Sequence, residues 1–198
     1  MSINTSYITD AIKDFAIKML SEIMKNFPEY SWTPNPDTTK INIIDSYSLT
    51  GMNPNIKPVI AVERGPIEFA DMSVTPYRDK NILTESYFGQ SILRGNLTIH
   101  VIVPGNSLLA ERMASFIFQA LVALKFWPPQ KGVVRLDIVS LGAESPLNVS
   151  SDIQYMTIPI VLNLTFTLNW TVKPLNNEFI SSFTINSLSD LTFTMIIK

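Results

Sequence analysis

From Thr9 to Phe27 the apolar residues Ile12, Phe15, Ala16, Met19, Leu20, Ile23, Met24 and Phe27 fall at helical i, i+3, i+4 intervals. Lys13, Asp14, Lys18, Glu22 and Lys25 fill most of the opposite side. That period predicts an amphipathic helix. Thr9 is placed to cap it, Asp10 and Asp14 lie near its positive end, and Pro28 stops it. The stripe fits a partner's groove, but a core-facing helix is the simpler reading.

The next stretch, "SWTPNPDTTK", is a loop set by Pro34 and Pro36. Short strands are expected at 41–47, 57–63 and 67–74, divided by "GMNPN" and "RGP", and 75–90 reads as an exposed, mobile loop. In 91–104, Leu93, Leu97, Ile99, Val101 and Val103 alternate with Ile92, Arg94, Asn96, Thr98, His100 and Ile102, which predicts a long half-buried strand. Ser107 is placed to cap a second helix over 108–127, ended by Pro128 and Pro129. Its polar residues, Glu111, Arg112, Ser115 and Gln119, make one narrow stripe. A helix so widely apolar should be covered on nearly every side, by the sheet and first helix or by a neighbouring subunit.

A strand at 132–142, a loop at 143–152 and a strand through 153–172 follow, and the strand–helix–strand run 91–141 suits a right-handed crossover. Pro159 cannot donate to a ladder, so it should meet an edge, a bulge or the early part of its strand. Residues 178–198 read as a hairpin turning at "NSLSD". Within 161–172 the residues sort into two columns. Leu162, Leu164, Phe166, Leu168, Trp170 and Val172 form an apolar one, and Asn163, Thr165, Thr167, Asn169 and Thr171 a neutral polar one. The first is a core face. The second is either a solvated sheet face or a surface turned to a lumen or a sister subunit.

The order of elements predicts an α/β fold, more narrowly α+β: a mixed, largely antiparallel sheet with two helices on one face, plus a C-terminal β-hairpin. The expected division is a domain over 1–175 and a hairpin arm over 176–198. Phe179, Phe183, Phe193 and Ile196 are too many large apolar groups for a free ribbon, so the arm is expected to touch a neighbouring subunit or ring.

Composition narrows the function. Charged residues are 16% of the 198, against roughly a quarter in an ordinary soluble domain. A lightly charged surface suits burial against partners. The net charge of −2 advertises no nucleic-acid or anionic-membrane partner. With no Cys and one His, thiolate catalysis and Cys- or His-rich metal sites are out of reach within one chain. No apolar run reaches a membrane span and the N-terminus does not read as a signal peptide, so the chain is expected to be intracellular or assembled inside a cell. The N-x-[ST] sequons, such as those at Asn148, Asn163 and Asn169, then follow from an Asn- and Thr-rich composition.

Chemistry is sparse. No phosphate-binding Gly loop, HExxH or GxSxG is present. His100 offers the base of a Ser–His pair, with Ser107 or Ser140 as nucleophile and Asp71 or Asp137 as orienter; an ordinary surface His is the competing reading. Glu63, Glu68 and Asp71 offer a divalent-cation cluster, but Glu68 and Asp71 should point to opposite strand faces. A carbohydrate-binding β-module would want exposed aromatics, whereas Phe166 and Trp170 lie on the apolar column. No enzyme, cofactor or metal is therefore expected.

Four segments in order resemble the tail-terminator and neck proteins of tailed bacteriophages: "KPVIAVERG", "LRGNLTIHVIVPGNSLLAERMASFIFQAL", "VVRLDIVSLGAESPL" and "VLNLTFTLNWTVKPL", together spanning 58–172. Four features in order carry the likeness: an early strand followed by an Arg-Gly turn, a long strand breaking into a helix that opens on "AERMA", the turn from Gly142 to Pro146, and a closing strand ending on Trp170 and Val172. The 75–90 segment and the C-terminal hairpin depart from the pattern. The resemblance implies a homo-oligomeric ring, typically a hexamer, in the neck of a virion assembled in the host cytoplasm. Such a ring stops the tail tube, caps the sheath in contractile tails, and docks the head through a head-completion or connector protein. DNA passes through its lumen without specific contact. A head- or tail-completion adaptor in another neck ring is the alternative within the virion; a small hydrolase using His100 is the alternative of another class.

Overall fold

The computed structural model describes residues 6–46, 57–70, 79–81, 86–124, 133–148, 154–175, 179–186 and 192–196. For 168–175, 179–186 and 192–196 the description is of backbone pairing. The elements are α1 (Ser6–Met24), β1 (Asn42–Asp45), β2 (Val59–Phe69), β3 (Asp79–Asn81), β4 (Ser86–Pro104), α2 (Ser107–Leu124), β5 (Val133–Leu141), β6 (Ser145–Asn148), β7 (Gln154–Leu175), β8 (Phe179–Asn186) and β9 (Thr192–Ile196).

The strands form one mixed, largely antiparallel sheet, and both helices pack on it, an α+β fold. The main path runs β1-β2-β4-β7-β8-β9, with β3 paired to β4 and β5 and β6 both paired to β7. The β1–β2 pair is parallel. The pairs β3–β4, β6–β7, β7–β8 and β8–β9 are antiparallel. Two points fix β4 against β7: Gly105 donates to Gln154 O (3.0 Å), and Gly95 lies beside the Phe166 ring. As one strand advances the other recedes, so this pair too is antiparallel.

Helix α1 buries Ile12, Ala16, Leu20, Ile23 and Met24, while Asp14, Lys18 and Glu22 are exposed, as the period requires. It begins at Ser6, so Thr9 sits inside the helix rather than capping it. Its last turn tightens: Asn26 and Phe27 donate to Ile23 O and Met24 O, and Trp32 N–H returns to Met24 O (3.1 Å). The 31–40 loop closes on itself where Lys40 N–H meets Ser31 O and the buried Thr39 hydroxyl donates to Ile41 O.

Helix α2 starts at Ser107, but Asn106 is its cap: Asn106 Oδ1 accepts from Leu109 N–H (3.0 Å). The Ser107 hydroxyl instead donates to Glu144 Oε2 (2.7 Å). Gly105, at φ +59°, makes the turn out of β4. By length and composition α2 could cross a membrane, yet one side of it, Leu109, Ala110, Met113, Ala114, Ile117 and Leu121, is buried in the core.

Three expected breaks are filled by strand. "RGP" does not divide β2, which runs through it. Past Val62 the β1 partner has ended, so Pro66 removes a donor where none is needed. Gly65 lets the backbone close on β4, since a Cβ there would lie 3.1 Å from that of Asn96. Within 75–90, residues 79–81 pair with 86–88 as a hairpin. In the expected 143–152 loop, Ser145 to Asn148 pair with Thr157 to Gln154.

Pro159 sits where the sequence left room for it. Gly142 N–H donates to its carbonyl (2.7 Å), and a Cβ on Gly142 would meet its ring at 2.6 Å. From Gly142 to Ser145 the chain advances three residues while β7 retreats two, from Pro159 to Thr157. One extra residue makes a bulge, so β5 and β6 are one bent strand, antiparallel to β7. Strands β4 and β5 therefore flank β7 and run parallel, joined through α2.

The chain divides into two compact units. The first comprises 1–65, 96–128 and 137–163, and the second 66–95, 129–136 and 164–198. The first holds both helices and most of the core: the α1 and α2 stripes, Ile60, Val62, Leu97, Ile99, Val101 and the Ile158, Ile160 and Leu162 column, and a cluster of Val59, Ala61, Ile102 and Tyr155. The second holds the β7–β8–β9 ladder, and there Leu93, Leu164 and Phe166 are buried.

Candidate functional site

The sequence offered His100 as a catalytic base. Its Nε2 lies 2.9 Å from Glu63 Oε2 on the polar face of the β2–β4 pair, and both groups are reached by solvent. The proposed nucleophile Ser107 is engaged with Glu144 at the start of α2, where a carboxylate suits the positive helix end. The structure thus gives His100 a carboxylate rather than a serine partner. Glu63 and Glu68 stand five residues apart on β2, on opposite faces, and Asp71 lies outside the described residues. Among the described residues no three His, Asp or Glu side chains gather as a metal site.

The neutral polar column alternates with the buried one through Thr167. Asn163 is exposed and Thr165 and Thr167 half-buried, opposite in sense to the buried Leu162, Leu164 and Phe166. Asn169 pairs in register with Asn186 and then Thr192; Thr171 pairs with Thr184 and then Thr194. Directly opposed residues share a face, so the register sets Thr and Asn positions side by side on three strands. The other face carries the rows Trp170–Ile185–Phe193 and Val172–Phe183–Met195.

The register places the four arm residues at different positions of the ladder. Phe183 pairs with Val172 and Met195, Phe193 with Ile185, Ile196 with Ser182, and Phe179 with Leu175 beyond a register shift at Lys173/Pro174.

More informative is what one chain leaves uncovered. Leu108 and Val122 of α2 are 62% and 39% exposed, and Val139 and Leu141 of β5 are 54% and 39% exposed. Counting back from the Gly142–Pro159 pair sets Leu141 opposite Ile160 and Val139 opposite Leu162, both fully buried. The apolar face of the sheet thus runs one strand past the cover that the helices give it. The Ser107–Glu144 bond ties the Leu108 end of α2 to the chain just beyond Leu141.

The polar stripe of α2 has its own place. Glu111, Arg112, Ser115 and Gln119 line an open cleft of about 450 Å³ with Phe27, Pro28, Glu29 and Phe116. Phe27 meets Phe116 edge-on at 5.1 Å between centroids, and Arg112 bridges to Glu29 at 3.2 Å. The sequence foresaw a helix wanting cover. It did not show which residues would stay open, because that depends on where β5 falls in the sheet. Comparison with protein-family models and with curated proteins gave no match.

Proposed function

We infer that the chain is a structural subunit of a ring in the neck of a tailed-phage virion. In this reading the ring terminates the tail tube, caps the sheath where the tail is contractile, and offers the docking surface for the head. The observation that carries the reading is the apolar surface that Leu108, Val122, Val139 and Leu141 leave exposed on a chain already short of charge. A ring subunit needs two such lateral surfaces, one meeting the other on the next copy. The ordered resemblance over 58–172 supplies the setting. The Thr and Asn face is a fitting lumen lining, since a neutral surface does not release counterions from passing DNA. A hexamer is the stoichiometry the resemblance implies. The mechanism is surface complementarity and ring closure, with no reaction catalysed.

The test is addition of purified protein to tail tubes of the same phage, followed by electron microscopy. Rings at one end of the tube, and arrest of further tube growth, are expected. Protein that neither binds tube ends nor occurs in virions contradicts the reading. A ring located elsewhere in the neck points to the adaptor role instead.

A further inference from the structure

Folded proteins blunt sheet edges with charge, proline, bulges or brevity, because an unpaired row of N–H and C=O groups recruits another strand. Three edge strands here are blunted. Strand β1 is four residues long and ends on Asp45, β3 is three residues long and opens on Asp79 and Lys80, and β5 carries Arg135 and Asp137. The last strand of the sheet path is not blunted. It is "TFTMI", without charge or proline, and among the described residues β9 pairs only with β8.

The second compact unit has another open stretch at its opposite edge. The β1 partner stops at Val62, and β2 runs on to Phe69. Ala70 N–H donates to Ile92 O on β4 (2.9 Å), so the amides of Phe69 and Ile67 face away from β4. Pro66 cannot donate, so the open stretch begins at Ile67. A Cβ on Gly95 would lie 3.6 Å from Ile67 Cγ1 and 3.7 Å from the Phe166 ring, so Ile67 and Phe166 share one face of the sheet. Phe69, two residues on, belongs to that face and is 77% exposed. Alternation along β7 carries the face from Phe166 to the positions of Trp170 and Val172, and register carries it to those of Phe193 and Met195 at the other edge. Glu68, Thr192 and Thr194 hold positions on the opposite face. Direction agrees as well. From Ile67 to Ala70 β2 advances while β4 recedes from Gly95 to Ile92, and each step from β4 to β9 is antiparallel, so β2 and β9 run the same way.

We propose that β9 of one copy lies parallel along Ile67–Phe69 of the next copy, so that one sheet passes head to tail from subunit to subunit. A second copy brings β9 to this edge without being turned over, in matching direction and with matching faces. The Phe193 and Met195 positions then continue the row of Ile67 and the bare Phe69. Glu68, the one charge in the stretch, stays on the Thr side. Parallel pairing on this side of β2 is what β1 already makes farther along the strand. Each joint uses β2 of one copy and β9 of another, so every added copy leaves one of each free until a ring closes. The proposal rests on the ring reading and names its lateral joint.

The chain has no cysteine, so Glu68→Cys and Thr194→Cys each introduce a single thiol. The two variants are mixed and treated with a short bis-maleimide. Cross-linked dimers are expected from the mixture and not from either variant alone. Rings in the microscope without the mixed cross-link overturn the strand pairing and leave the ring reading standing. Thr194→Cys linking only to itself overturns it in favour of a twofold β9–β9 contact. A wild-type chain that stays monomeric at every concentration, and on tube ends, overturns both. Phe69→Ser should leave the monomer's thermal melt in place and weaken self-association by about tenfold or more, the effect of taking one large apolar side chain out of a joint. Unchanged association overturns the proposal.

Discussion

Single residues decide where this sheet bends. Gly142 stands against Pro159 so closely that a methyl group there would overlap the proline ring. Gly142→Ala should lower stability by about 1–3 kcal/mol, the usual effect of overpacking. Much of that loss should vanish in a Pro159→Ala background, since contacting residues couple. Denaturant titration of the four proteins measures both terms; additive losses would mean that the contact is not the cause. The missing N–H of Pro159 left an edge, a bulge or the early part of the strand open, and the structure sets it opposite a bulge. The cap of α2 was misplaced by one residue. Asn106 and Ser107 are both good caps, and Gly105, by taking positive φ, decides that Asn106 takes the role. Asn106→Ala should accordingly remove about 1 kcal/mol, and Ser107→Ala less.

Among elements, period was the reliable signal. Both helices, β4 and β7 follow the apolar spacing that predicted them, and so does the hairpin. The segments read as breaks fared worse. "RGP", 79–81 and "SPLN" are strand because longer neighbours supply their partners, and no local residue pattern encodes that. Helix α2 shows where sequence stops informing function. Its composition says that it is apolar nearly all round, but not which side the chain itself will cover. The structure separates the sides: Met113, Ile117 and Leu121 are fully buried, Leu108 and Val122 are not. Met113→Ala should therefore cost about 2–5 kcal/mol in monomer stability. Leu108→Ser with Val122→Ser should change it by less than about 1 kcal/mol and reduce self-association. Thermal melts and sedimentation velocity on the same samples separate the two effects.

At the scale of the molecule, the fold was legible because a sheet of alternating strands and two striped helices leave few arrangements. The candidate site was only half legible. Asn163, Thr165, Thr167, Asn169 and Thr171 were named as a surface, and pairing extends that surface onto β8 and β9. Val139, Leu141, Leu108 and Val122 were missed, since only tertiary placement leaves them bare. Thr167→Lys is the probe of the polar face. It should leave the monomer folded and damage tube binding or DNA passage if the face lines a ring, whereas a free solvated face would tolerate it. Truncation after Asn186 removes β9 and leaves β8 on β7, so it should hinder assembly more than folding; equal assembly would remove the arm from the joint. The central claim is that this chain is one part of a closed ring. Sedimentation velocity of the wild-type protein across a concentration series, with negative-stain images of the heaviest species, tests it most directly. The account predicts a discrete closed oligomer of about six copies with a central opening; a monomer at every concentration, still monomeric when tail tubes are added, would contradict it.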